Sequence, residues 1–204
     1  MPAQPNWVKG ALLTLALSLV SATAWAQPNS FGVSAGAYKS LDDEADSRAD
    51  VFGIRAAHRL KRHPAFGVEA GLSWSDLTDL FPVEQDPVPG LDVQIKVQLL
   101  NAELSGQWFP KGNGLVVFAG GGMSRTETRL RLTSVGEKLE ATSTSNIFTA
   151  HAGAGYEWGL GGHLFVRPEA RYRYYFSDAE PGHDLGISFD ASGFEAGLVL
   201  GWRR

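Results

Sequence analysis

An all-β fold, an eight-stranded antiparallel up-and-down barrel that crosses a membrane, is predicted by three observations. Strand-length segments alternate between an apolar and a polar or charged phase, their connections alternate between tight and long, and the aromatic residues collect at segment ends. The clearest alternation is FVRPEARYRY, where Arg167, Glu169, Arg171 and Arg173 share one phase and Val166, Ala170, Tyr172 and Tyr174 the other. A strand over a soluble core also alternates, but it rarely gathers charges of both signs on one face. In a membrane barrel the oily phase meets lipid and the charged phase fills the lumen, where Arg and Glu neutralise one another. Reversing the phase would place each charge in hydrocarbon at about 2 to 4 kcal/mol near the midplane, which sets the direction of the side chains.

The first element is a segment for export. Lys9 is the only charge ahead of the apolar run ALLTLALSLV, and SATAWA follows with Ala24 and Ala26 in an A-x-A cleavage pattern. The run is too short for a spanning helix, which needs about 20 apolar residues. Residues 1–26 therefore read as a cleaved signal peptide, with cleavage between Ala26 and Gln27, and residues 27–204 as one barrel domain in the outer membrane. Removing the signal takes one of the 18 basic residues and none of the 22 acidic ones, so the mature chain is acidic and carries no signature of nucleic-acid binding. The chain has no cysteine, so an exported fold must be held by something other than disulfides, and a closed strand ladder suffices.

Eight segments follow, at residues 30–39, 50–60, 65–75, 92–109, 114–132, 139–158, 163–176 and 192–203. Most are near the length of about 9 to 11 residues that a tilted strand needs to cross a bilayer. The even links, KRHP from Lys61, PKGNG from Pro110 and GLGG from Gly159, are tight turns rich in Gly and Pro. The odd links are LDDEADSRAD from Leu41, SDLTDLFPVEQDPVPGL from Ser75, a hairpin around SVGE at Ser134, and SDAEPGHDLGISFD from Ser177. Short periplasmic turns and long extracellular loops on an even number of strands put both termini in the periplasm.

With that orientation, Trp108, Trp158 and Trp202 end downward segments and form a periplasmic aromatic girdle. Trp74, Tyr172, Tyr174 and Phe176 end upward segments, and with Phe194 they form the extracellular one. The lipid-facing phase reads Phe31, Val33, Ala35; Phe52, Ile54, Ala56; Phe66, Val68, Ala70, Leu72; Leu100, Ala102, Leu104; Phe148, Ala150, Ala152, Ala154, Tyr156; and Ala196, Leu198, Leu200, with no charge among them. The opposite phase carries Arg55, Arg59, Glu69, Glu103, Glu157, Arg167, Glu169, Arg171, Arg173 and Glu195, interleaved with Gly32, Gly53, Gly71, Gly153, Gly155 and Gly197. Small residues between long charged ones leave room for a lumen charge network. The fifth segment, LVVFAGGGM, has no clear phase.

FGVEAGLSW at Phe66, VVFAGGGM at Val116, FVRPEARYRY at Phe165 and the terminal GFEAGLVLGW at Gly193 together resemble the small eight-stranded outer-membrane barrels of Gram-negative bacteria, of the OmpA transmembrane-domain and OmpX type. The resemblance covers nearly the whole mature chain and implies the fold far more firmly than an activity. Such barrels usually finish on an aromatic residue, whereas here Arg203 and Arg204 follow Trp202. The structural rival is a secreted lipocalin-like barrel with its oily phase inward around a ligand; glycines on a solvated charged face and the regular short and long links stand against it.

Hidden chemistry has little support in the sequence. The H-x-S-N pattern that lipid A deacylase-like barrels carry is absent, and His183 with Asp184 reads as part of a solvated loop rather than a protease pair. His151 reads as an interior donor beside the charges. Asp42, Asp43, Glu44, Asp46 and Asp50 lack the Gly and the spacing of a calcium loop and read as a solvated acidic stretch. No metal, cofactor or catalytic residue is expected. The expected protein is a non-enzymatic monomer with a plugged lumen, serving envelope integrity or surface adhesion. Its partners are outer-membrane lipid and lipopolysaccharide, and a host or environmental ligand at the second and third long links. A narrow channel or transporter and an outer-membrane hydrolase are the alternatives; eight strands leave an interior just filled by side chains, which disfavours diffusion.

A last expectation concerns DVQIKVQ, whose apolar residues Val93, Ile95 and Val97 are odd-numbered, whereas beyond Leu100 the apolar phase is even. A phase change or bulge is expected near Leu99. Counting from the turn at Gly112 pairs Gln98 with Thr126 and Val93 with Arg131, in a stretch too polar for lipid. The ladder then continues past the membrane, joined by KLEATSTS, as a protruding sheet with open edges.

Overall fold

The computed structural model describes residues 30–41, 48–78, 91–110, 114–134, 137–176 and 192–204. The export segment with Ala26 and Gln27, the acids from Asp42 to Asp46, and His183 with Asp184 lie outside the described residues.

Alternating residues in each segment form strands because period-2 side chains put one set on lipid and the other inside. The strands are β1 (Ser30–Ser40), β2 (Ala49–Leu60), β3 (His63–Asp76), β4 (Leu91–Trp108), β5 (Leu115–Ser134), β6 (Glu137–Tyr156), β7 (Trp158–Gly161), β8 (Leu164–Phe176) and β9 (Gly193–Arg203). Each pairs antiparallel with its neighbour, β9 returns to β1, and β7 is a short continuation of the β6 stave along β8. The result is a closed eight-stave barrel, so the spanning part exposes no strand edge to lipid.

The unbroken sixth segment expected over 139–158 is divided. Pairing of β6 with β8 ends at Gly155 opposite Glu169 and resumes as β7 at Trp158 opposite Val166. Pro168 stands on β8 between these points and has no N–H for the ladder. The Glu157 amide instead donates to the Gly114 carbonyl at 2.7 Å.

The unclear phase of LVVFAGGGM is resolved by register. Val116, Phe118, Ser124, Thr126 and Thr128 are buried inward, whereas Val117 and Ala119 are exposed. The glycines let β4 and β5 come together: a Cβ on Gly120 would lie 2.0 Å from the Leu104 carbonyl oxygen, and one on Gly122 2.0 Å from that of Ala102.

No bulge occurs at Leu99. The β4–β5 register runs without a shift from Leu91↔Ser134 to Trp108↔Val117, one residue away from the expected pairing, with Gln98 opposite Glu127 and Val93 opposite Leu132. The apolar residues change sides instead: Val97 and Leu99 point inward and are buried. Strands β4, β5 and β6 have 18, 20 and 20 residues, well beyond the span of about 9 to 11. Because β6 pairs with β8 only from Phe148 to Gly155, its upper part rises beside β5 as a protruding sheet.

Candidate functional site

The inward side chains fall into three groups. The first is ionic. Glu69 on β3 accepts from Arg55 at 3.2 Å, Arg167 at 2.7 Å and Gln107 at 2.8 Å. Glu169 lies 2.9 Å from Arg55, 3.1 Å from Arg167 and 2.6 Å from Arg171. Glu103 receives Arg171 at 2.8 Å and also Arg173, and Glu195 receives Arg173 at 2.9 Å. These four arginines and four glutamates are all buried, and Arg173 is only 1% exposed. Their charges cancel, which is what lets them leave water at all.

Glycine on the flanking strands makes the crossing possible. Arg55 stands between Gly32 and Gly71, Glu103 between Gly71 and Gly122, and Glu169 between Gly155 and Gly197. Each long side chain thus has a neighbour without a Cβ and can lean across the lumen. Of the remaining charges on this phase, Arg59 lies with its Cζ 3.8 Å from the Phe109 ring centroid, and Glu157 pairs with Arg203 at 2.6 Å. Both sit at the short-turn mouth, apart from the eight-residue network.

The second group is neutral and polar. Asn101 donates to Ser73 at 3.2 Å and accepts from Ser124, while Ser105 Oγ lies 2.6 Å from His151 Nε2. A nucleophilic serine needs a histidine oriented by a third group. His151 Nδ1 has no hydrogen-bond partner among the described residues, and both Ser105 and His151 are buried in the interior.

The third group is apolar and had not been assigned inward from sequence. Tyr38, Val51, Leu77, Val97, Leu99, Ile147 and Tyr175 pack into one cluster at the long-loop end. Phe109, Val116 and Phe118 form another, with Phe118 5.0 Å beneath the Arg171 guanidinium. The available signal was parity: each lies on the inward phase of its strand once register is known, or, for Leu77 and Phe109, one residue past its end. Ions, hydrogen-bonded polar groups and two apolar clusters together fill the lumen.

On the outside, Trp108, Trp158 and Trp202 are exposed at the short-turn end, where Trp158 lies 5.2 Å from Tyr156. Trp74, Tyr174, Phe176 and Phe194 are exposed at the other end, and half-buried Tyr172 lies 5.2 Å from Phe194. From the level of one belt to that of the other, Phe31, Val33, Phe52, Ile54, Leu104 and Leu198 are exposed on the wall, while Ala102 is covered between Leu72 and Met123. So apolar a band around a closed barrel fits hydrocarbon and not water.

The protruding sheet has two unlike faces. Its outer face carries Lys96, Arg129 and Arg131, with Arg131 2.7 Å from Glu140. The face continuous with the lumen phase carries Ile95, Leu130, Leu132 and an exposed Leu139. Among the described residues no strand pairs with β6 from residue 138 to 147 on the side away from β5.

Solved structures are similar to this chain at low identity. A major outer membrane protein from Thermus thermophilus is 15% identical with a TM-score of 0.55, covering 86% of this chain and 99% of that one. The attachment invasion locus protein Ail of Yersinia pestis is 10% identical with a TM-score of 0.48, covering 85% and 94%. The N-terminal β-barrel domain of Pseudomonas aeruginosa OprF is 13% identical with a TM-score of 0.46, covering 87% and 98%. No curated protein sequence matches the chain. The outer membrane protein beta-barrel domain family matches residues 12–201. With its closed antiparallel barrel, lipid-fitting wall and filled interior, the chain belongs to that family of outer-membrane barrels.

Proposed function

We propose that this barrel works at the cell surface through its protruding β4–β6 sheet, as a non-enzymatic monomer in adhesion or envelope integrity, with its lumen closed to solutes. The observation that carries this reading is the unequal length of the staves. A barrel that only spanned the membrane would have no use for strands of 20 residues beside strands of 11. The backbone edge of β6, which no strand among the described residues covers, can accept a strand of a partner by β-augmentation, with alternate side chains supplying specificity. Lumen residues Arg55, Glu69, Glu103, Arg167, Glu169, Arg171, Arg173 and Glu195 act as a plug, Arg59 and Glu157 border it, and Trp74, Trp108, Trp158, Tyr172, Tyr174 and Trp202 anchor the wall in lipid headgroups and lipopolysaccharide. Residues 1–26 are the cleaved export signal of this reading, and a mature N-terminus at Gln27 by mass spectrometry is its check.

The experiment is deletion of residues 128 to 142, bridged by a short turn, in cells displaying the protein. Folding, read as heat-modified gel mobility, should persist while binding of cells to a surface or ligand is lost. Lost folding, or unchanged binding, overturns the proposal.

A further inference from the structure

We propose that the short-turn mouth of the barrel is a binding site for a phosphate dianion, either inorganic phosphate or a phosphate monoester. A cavity of about 160 Å³ opens there, lined by Arg59, Arg167, Arg203 and Arg204 together with Glu157 and Phe109. This site is independent of the surface reading and faces the periplasm, on the side of the tight turns.

Charge bookkeeping selects the ligand. Arg167 is compensated by Glu69 at 2.7 Å and Glu169 at 3.1 Å, and Arg203 by Glu157 at 2.6 Å. Arg59 and Arg204 have no ion-pair partner among the described residues. Arg59 also lies in the field of Glu157, the carboxylate that Arg203 engages, so counting Arg59, Arg203 and Arg204 against Glu157 leaves two positive side-chain charges in excess at one cavity. Arg59 is held on the wall by the Phe109 ring at 3.8 Å, which leaves its planar fork free for an oxyanion. Low-dielectric walls concentrate the field of such a cleft. A phosphate monoester carries about −1.5 to −2 at neutral pH and several strong acceptor oxygens, enough to satisfy both forks. A phosphodiester headgroup carries a single charge and would leave one arginine unmatched.

The folded chain in uncharged detergent is titrated calorimetrically with inorganic phosphate and with glycerol 3-phosphate. Saturable binding at one site per barrel is expected, weakened about tenfold or more in each of Arg59→Gln and Arg204→Gln, with heat-modified mobility unchanged. Should Arg59→Gln fail to fold, Arg204→Gln, at an exposed position, reads the site alone. No saturable binding at millimolar phosphate, or undiminished affinity in Arg204→Gln, overturns the site. Binding to phosphatidylglycerol vesicles with none to either soluble phosphate overturns the assignment to a dianion.

Discussion

Substituting Glu103→Ala is the sharpest probe of the interior. Glu103 holds Arg171 at 2.8 Å and contacts Arg173, and it is buried in the lumen. Removing one member of a buried ionic group costs about 3 to 5 kcal/mol, mostly because the partner is left charged in low dielectric. Here the loss is moderated, since Arg171 keeps Glu169 at 2.6 Å and Arg173 keeps Glu195 at 2.9 Å. The expected cost is therefore the low end, about 3 kcal/mol. Unfolding by urea, with a slope of about 1 to 3 kcal/mol/M, would move the midpoint down by about 1 to 3 M. Coupling Glu103→Leu to Arg173→Met restores charge balance and should recover most of the loss, because an apolar pair of similar volume is often neutral or stabilising. A Glu103→Ala midpoint equal to the native one would refute the argument, as would a double variant as unstable as the two single losses added together.

Other variants test the remaining parts of the fold. Leu104→Arg, on the exposed wall, should cost about 2 to 4 kcal/mol in a bilayer, and unchanged refolding yield into vesicles would mean this face does not meet lipid. Gly120→Ala forces a methyl against the Leu104 carbonyl and should lose about 1 to 3 kcal/mol, read from chemical unfolding. Phe118→Ala removes a fully buried ring beneath Arg171 and should cost about 3 to 5 kcal/mol; a native gel-shift temperature would show that this cluster does not support the barrel. In planar bilayers the native protein should show no discrete conductance, and a stable open level would end the closed-lumen reading.

The alternation of FVRPEARYRY was enough to assign lipid and lumen faces, because burying four charges in hydrocarbon has no cheap alternative. The same logic reached the length of the ladder beyond the membrane, where TETRLRLT is too polar for lipid. It failed where the two faces are equally apolar. In β5, Val116 and Phe118 point inward while Val117 and Ala119 point out, so hydrophobicity has no contrast from which to read a phase. Val97 and Leu99 were open to a bulge for the same reason: an inward position that meets Leu77 and Ile147 rather than Arg favours an apolar residue.

Sequence by itself determined the number of staves, their direction, and which side of each charged strand faces inward, since these follow from a period of two and from turn chemistry. Tertiary structure decided depth and partnership. Arg59 and Glu157 share the inward phase with Arg55 and Glu169, yet they lie at the mouth, because parity sets the side of a strand but only tilt and register set its height. Which arginine meets which glutamate was likewise undetermined along the chain. Arg167 reaches Glu69 across 98 positions of sequence, and closure of the ladder from β9 back to β1 is what brings their strands to opposite walls of one narrow lumen.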